Sequence, residues 1–462
     1  MVNRAQILMM RALLLASVAV LTAAAAQAQT LTRYTEAPGQ PALSLGTFQS
    51  SLPGAKALKL TVGIGSAAFR DPKSPADTFF TVSDRGANFT CDDAKDVLGL
   101  APEAACPAVE GIKEGAGRLY PRPDDVIAIF EVKLDAAAKT YAVTKTLPLK
   151  TPKGSPITGL TNPLSVATTE KPRDGNAQPL KQNINSLDAE GLVRLPDGRF
   201  FIAEENAPGL VEVAADGTVT RRFVPAGTEK DFAAAEYPVS GPLPAILAKR
   251  HSNRGLESLS LSDDGRFLYT MVQNPLDNPD AKAYAKALNA RLLKLEIGKD
   301  AAGATTLTPV AEYVYQLDDF AAFAKLGATD AKKPSDLRLS EMTALGHEHF
   351  LVDERTDQIT KLFEIELAGA TNILGSKWDE TATSPTLEQS NDLSGTGITP
   401  VKKAERLVAS SLEGAQPRFP GKIEGLSLTA DGKLFTINDN DFGITGASTV
   451  ITIVESPQIG PR

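Results

Sequence analysis

One motif recurs five times along this chain. Residues 190–205 read EGLVRLPDGRFFIAEE, residues 257–273 ESLSLSDDGRFLYTMVQ, and residues 424–441 EGLSLTADGKLFTINDND. Residues 341–355, EMTALGHEHFLVDER, are a shorter variant without Asp-Gly, and residues 65–86 hold a degenerate copy ending FFTVSDRG. Each copy places alternating apolar residues on both sides of a turn, and such alternation about Asp-Gly is the strongest short-range signal for a β-hairpin. The copies recur at intervals of 67 to 125 residues, with further strand-like runs between them, such as 126–133 with 140–149, 313–317, 361–367 and 449–455. Near-identical hairpins so far apart, each followed by outer strands, predict an all-β fold: four-stranded sheets arranged radially as a β-propeller.

The expected count is six blades, with five or seven as the alternatives. An N-terminal strand at 42–48 or 58–62 is expected to complete the blade that contains 449–455, because closure of that kind protects sheet edges. Residues 280–290 read as a helix on a loop, 151–187 as a long insertion and 379–399 as a loop.

The first 28 residues read as a signal peptide: Arg4 and Arg11 at the charged start, an apolar run from Leu13 to Leu21, and a small-x-small site at Ala26-Gln27-Ala28. The run is short for a membrane span, and no Cys follows it to carry a lipid. Residues 29–462 are then a single domain, exported to the periplasm or secreted, and expected as a monomer. Losing the two arginines takes the formal charge from −8 to −10. That excludes a general nucleic-acid or anionic-membrane surface and suits cation binding. The two cysteines, Cys91 and Cys106, lie close in one polar segment; in an oxidising compartment this predicts a local disulfide.

In a hairpin with a two-residue turn, residues pair symmetrically about the turn. Asp197-Gly198 then pairs Glu190 with Glu205, Asp431-Gly432 pairs Glu424 with Asp439, and Asp264-Gly265 pairs Glu257 with Val272, beside Gln273 and Asn274. A turn at His347-Glu348 pairs Glu341 with Glu354. Like charges opposite one another destabilise an antiparallel pair. Four copies of the same cost call for a compensating cation or for Arg partners. Carboxylate and amide oxygens suit calcium or another hard divalent cation. The expected metal set is Glu190, Glu205, Glu257, Glu341, Glu354, Glu424 and Asp439. Arg85, Arg254 and Arg355 flank three of the units at what read as equivalent positions, and either neutralise the acids or present forks to a phosphate or carboxylate. The competing reading is that the acids only join neighbouring blades through hydrogen bonds. His347 and His349 fall at the predicted turn. Asn438-Asp439-Asn440-Asp441 looks like a calcium loop but lacks the flanking helices of an EF-hand. No nucleophile elbow, P-loop, H-E-x-x-H or dinucleotide fingerprint occurs.

Five segments resemble the phytase-like domain family, described as esterase-like activity of phytase: SDRG (83–86), DAEGLVRLPDGRFFIAEE (188–205), SNRGLESLSLSDDGRFLYTMVQNPL (252–276), FLVDER (350–355) and KIEGLSLTADGKLFTINDNDFG (422–443). The resemblance spans nearly the whole chain after the export segment. It implies a secreted or periplasmic propeller with hydrolase-like activity. By analogy with calcium-dependent propeller phytases, Glu190, Glu205, Glu257, Glu341 and Glu424 would hold metal. The chain departs from the family's E-E-Y/F-G pattern, with Asn206-Ala207 after Glu204-Glu205. Two functions stay open: a metal-dependent hydrolase of small phosphate or carboxylate esters, with the three arginines stabilising developing oxyanion charge, and a non-catalytic binding or scaffolding propeller.

Overall fold

The computed structural model describes residues 30–39, 43–165 and 169–455. The expected export segment, 1–28, lies outside the described residues. Each repeated hairpin opens a four-stranded antiparallel sheet. Blade I is Ala67–Phe69, Thr78–Val82, Ala128–Asp135 and Thr140–Pro148. Blade II is Ala189–Arg194, Phe200–Glu204, Gly209–Val213 and Val219–Pro225, extended by the parallel edge strand Val239–Leu243. Blade III is Leu256–Leu261, Phe267–Val272, Asn289–Lys299 and Thr305–Gln316. Blade IV is Arg338–Gly346, His349–Arg355, Ile359–Glu366 and Lys402–Ser410. Blade V is Ile423–Leu428, Leu434–Asn438, Ile451–Val454 and Leu31–Glu36.

The first strand of each blade packs against the first strands of both neighbours, in the cycle I–II–III–IV–V–I. These inner strands are buried along almost their whole length, unlike a half-exposed sheet. Apolar layers fill the gaps between blades: Phe80 and Ile129 meet Leu192 and Ile202 between I and II, and Phe79 stacks on Phe435 between V and I at 4.1 Å between centroids. Among the described residues these four-stranded units number five, one of the alternatives to the expected six. The N-terminal chain does close the ring, but through Leu31–Glu36, which runs antiparallel to Ile451–Val454. Ser44–Phe48 and Leu58–Thr61 instead pair with each other as a separate hairpin. That hairpin packs on the Cys91–Cys106 segment, whose two sulfurs are bonded as expected, and together they roof one end of the ring. The helix expected over 280–290 is one turn, Ala281–Tyr284, and Asn289 already begins the third strand of blade III.

Because the two ends of the chain meet in blade V, the packing of that blade against blade I should limit global stability. Phe435→Ala is expected to destabilise the fold by about 3–5 kcal/mol, read by denaturant unfolding. A loss under about 1 kcal/mol would show that the seam does not hold the ring.

Candidate functional site

The repeated acids owe their position to a break in register. In blade II Gly191 pairs with Ala203 and Ala189 with Glu204, so Glu190 is an extra residue facing no partner. The same bulge sets Glu257 between Leu256 and Ser258, and Glu424 between Ile423 and Gly425. A bulge re-aims its extra side chain out of the ladder. In E-G-L the following glycine is required by the crowding of inner strands: a Cβ at Gly191 would lie 2.8 Å from Leu259 N, and one at Gly425 2.9 Å from the Ala67 carbonyl carbon. Glu190, Glu257 and Glu424 thus face one funnel of about 450 Å3 at the roofed end, together with Glu205 and Asp439 from the ends of the second strands.

Two of the expected acids do not line this funnel. Blade IV carries a second register shift, between Ala344 and Gly346 beside its turn, which displaces everything beyond it by one residue. Ser340 consequently takes the bulge place and donates nothing acidic; its hydroxyl accepts from Arg355 Nε at 2.9 Å. Glu341 turns into the channel and accepts from the backbone N–H groups of Met342 and Leu259, at 2.9 and 3.2 Å. Glu354 points away between strands, where it accepts from Tyr315 Oη at 2.7 Å, Lys403 Nζ at 2.9 Å and Asp318 N–H at 2.6 Å. Both are joining carboxylates, as the competing reading supposed. The three arginines also come from different register places. Arg355 ends a second strand, Arg85 follows one, and Arg254 precedes the inner strand of blade III.

The funnel is electrically divided. Two residues before the bulge place stand Asp188 on blade II, Arg338 on blade IV and Lys422 on blade V. On blades IV and V, Arg355 pairs with Glu424 and with Asp357 (3.1 Å), and Lys422 pairs with Asp439 (2.8 Å) and Asp441. An ammonium thus already sits in the loop that reads like a calcium loop. On blades I and II, Asp84, Asp188 and Glu190 each offer an oxygen within 4.8 Å of the others. Asp188 is 2% exposed, hydrogen-bonded to its neighbour Asp84, and its Oδ2 forms an ion pair with Arg85 Nη1 at 3.3 Å. That Nη1 is shared with Glu170, at 2.9 Å, while Arg85 Nη2 donates to Asn253. One guanidinium there faces three carboxylates.

Burial pushes the Asp84 and Glu190 carboxyls well above the ordinary range, reinforced by Asp188 for the first and by Asp84, Glu257 and Glu424 for the second. Burial lifts Asp188 to about 6 against the opposing pull of Arg85. It lifts Glu424 to about 7 in spite of Arg355 and Lys422. Glu257 is raised well above its usual value by burial and by Glu205; Gln273 donates to its Oε1 at 2.5 Å, and its Oε2 has no partner. Glu170 goes the other way: burial alone would raise it, but Arg118 and Arg85 hold it down at about 2.

The sequence profile of the Phytase-like family, described as esterase-like activity of phytase, matches residues 61–442, which contain every one of these groups. The chain belongs to that family. An uncharacterized secreted protein of Arthroderma benhamiae is 29% identical over 199 residues, which span 38% of this chain and 38% of that relative. Among solved structures, the periplasmic gluconolactonase PpgL of Pseudomonas aeruginosa is similar at a TM-score of 0.29 and 10% identity, covering 92% of this chain and 96% of that one. Virginiamycin B lyase of Staphylococcus aureus is similar at 0.28 and 9%, covering 93% and 99%. Overlaps this loose transfer no site to this chain.

In this phytase-like chain several site groups escape a hairpin-by-hairpin reading. Asp84 and Asp188 stand inside the segments SDRG and DAEG but outside any symmetric pairing, and Lys422 and Arg338 become visible only once the bulge register is known. At the departure Asn206-Ala207, the Asn206 side-chain amide donates to Glu170 Oε2 at 3.3 Å.

A carboxyl whose pKa rises on folding binds its proton more tightly in the folded state, so its contribution is lost as pH climbs from the ordinary carboxylate value through the raised one. With Asp188 at about 6 and Glu424 at about 7, that window is roughly pH 4 to 7. Chelator-treated protein should melt at progressively lower temperature across it, and Glu424→Gln should flatten the slope. Glu170 acts oppositely and only below about pH 4. A melting temperature that rises between about pH 5 and 7 would contradict the assignment.

Proposed function

We propose that this chain is an exported, metal-dependent hydrolase of phosphate or carboxylate esters, with a divalent cation, of which calcium is the best match, held by Asp84, Asp188 and Glu190. The observation that carries the reading is the convergence of these three carboxylates, answered only by an Arg85 guanidinium that is shared with Glu170. Buried carboxylates that cannot all be ionised without a counter-charge, and that offer only hard oxygen donors, fit calcium or magnesium. Such an ion would supply Lewis acidity for an ester oxygen and lower the pKa of water.

The chain's own groups supply the rest. Hydrolysis joins a water oxygen to phosphorus or carbon, releases the ester oxygen as an alcohol, and moves one proton from water to that alcohol. Glu257, raised in pKa and with a free Oε2 in the funnel, is the group suited to carry the proton. All three arginines pair with neighbouring acids, and of them Arg254 has the longest pairing, 3.4 Å to Glu205, and an Nε without a partner. The Cys91–Cys106 bond fits an oxidising compartment, and no helix among the described residues is long and apolar enough to cross a membrane. The second reading, a binding propeller without turnover, draws support from the pairs Arg355–Glu424 and Lys422–Asp439, which already balance half of the ring.

Assays on p-nitrophenyl phosphate, bis-p-nitrophenyl phosphate and p-nitrophenyl acetate, with calcium and with chelator, separate the two. Turnover of at least one, abolished by chelator and reduced at least about tenfold by Asp188→Asn, is the expected result. No turnover of any would move the assignment to binding.

A further inference from the structure

Across the funnel from the acid trio, blades III and IV bring three guanidiniums together. Arg254 precedes the inner strand of blade III, Arg338 begins that of blade IV, and Arg355 ends the second strand of blade IV. Their mutual repulsion is felt: Arg338 is held below its ordinary pKa by burial and by the nearby Arg254 and Arg355. Arg355 is fully engaged, with Ser340, Asp357 and Glu424 around its head. The other two are not. Arg254 donates through Nη1 to the Asn253 carbonyl and reaches Glu205 at 3.4 Å, and Arg338 meets Asp357 at 2.8 Å, while the Nε of each is buried with no hydrogen-bond partner. Both side chains also line a second cavity, of about 390 Å3, that adjoins the funnel; its wall carries Arg118, Lys333 and the stacked pair His251–Tyr284 together with Glu170, Asp330, Asp336 and Asp357. Arg254 and Arg338 therefore form the partition between two openings, with unpaired fork donors at the junction.

We propose that Arg254 and Arg338 form an anion-binding subsite for a phosphate or carboxylate group of the substrate, with the outer cavity receiving the group attached to it. Crowded guanidiniums lose their repulsion, and their unpaired N–H groups find acceptors, when a planar or tetrahedral oxyanion sits between them. The subsite replaces Arg85, which is turned toward Glu170, as the anion contact. The substrate class follows: an anionic ester that spans both cavities, rather than a neutral one confined to the funnel. Its standing as a substrate subsite rests on the hydrolase reading; the binding of an anion does not.

The test is calorimetric titration of inorganic phosphate, and separately of succinate, into the full-length chelator-treated protein, with Arg254→Gln, Arg338→Gln, Arg338→Lys and, as a control at the Arg122–Asp125 ion pair outside both cavities, Arg122→Gln. Wild type should bind at least one of the probes. Each Gln variant should weaken that binding at least about tenfold, Arg338→Lys should lie between, and Arg122→Gln should match wild type. Whichever probe binds more tightly identifies the anion class. Melting curves establish that each variant is folded, and Arg338→Lys, which keeps the charge, separates lost recognition from lost structure. Binding of neither probe, or binding undiminished in both folded Gln variants, overturns the subsite. Ester assays with calcium on the same wild-type protein keep the two claims apart. Anion binding through the arginine pair without turnover leaves the subsite standing and the hydrolase reading refuted. Turnover with anion binding unaffected by the Gln variants refutes the subsite alone.

Discussion

The β-bulge at the start of the inner strand is the constraint on which the rest of this site depends. Without it, Glu190, Glu257 and Glu424 would lie in the ladder, facing neighbouring blades like any other strand residue. With it, each acid is expelled toward the axis at the same height, and the glycine that follows in two of the three copies lets the next inner strand approach within contact distance. Five inner strands packed in a ring leave no room for the acids to separate laterally. Their repulsion is therefore a property of the fold, to be met by counter-charge from the chain or from outside.

The counter-charge is distributed unevenly, and this asymmetry is what turns a structural ring into a candidate site. Register places two residues before the bulge residue hold Arg338 and Lys422 on blades IV and V but Asp188 on blade II. Where the base is present, the acids are paired within 3 Å or so of a cation. Where the acid replaces it, three carboxylates meet with one guanidinium that is already committed to Glu170. The same substitution at one register place thus separates a cation-seeking lobe from an anion-seeking one across a single funnel.

Much of this was legible in the sequence, and the failures have physical causes. Apolar alternation about Asp-Gly marked the hairpins, and each of the five opens one four-stranded unit. Counting outward from a turn places an acid correctly only if no residue intervenes. It came within one residue on blades II, III and V. It failed on blade IV, where the additional shift between Ala344 and Gly346 moves Ser340 into the bulge place and Glu354 to the back of the strand. Asp84 and Asp188 carry no periodic signal of their own, because they lie just beyond the paired residues. The closing strand Leu31–Glu36 was hidden for a different reason: six residues that pair at an edge show only partial burial and hence weak patterning.

Cation binding by the blade I–II lobe is the property that decides the function proposed for this site. Calorimetric titration of calcium into chelator-treated protein is the direct measurement, with Asp188→Asn and Glu354→Gln as paired variants. One ion per chain in the wild type, at least about tenfold weaker in Asp188→Asn and unchanged in Glu354→Gln, is the predicted result. No binding, or binding that Asp188→Asn leaves intact while Glu354→Gln removes it, would contradict the placement of the site.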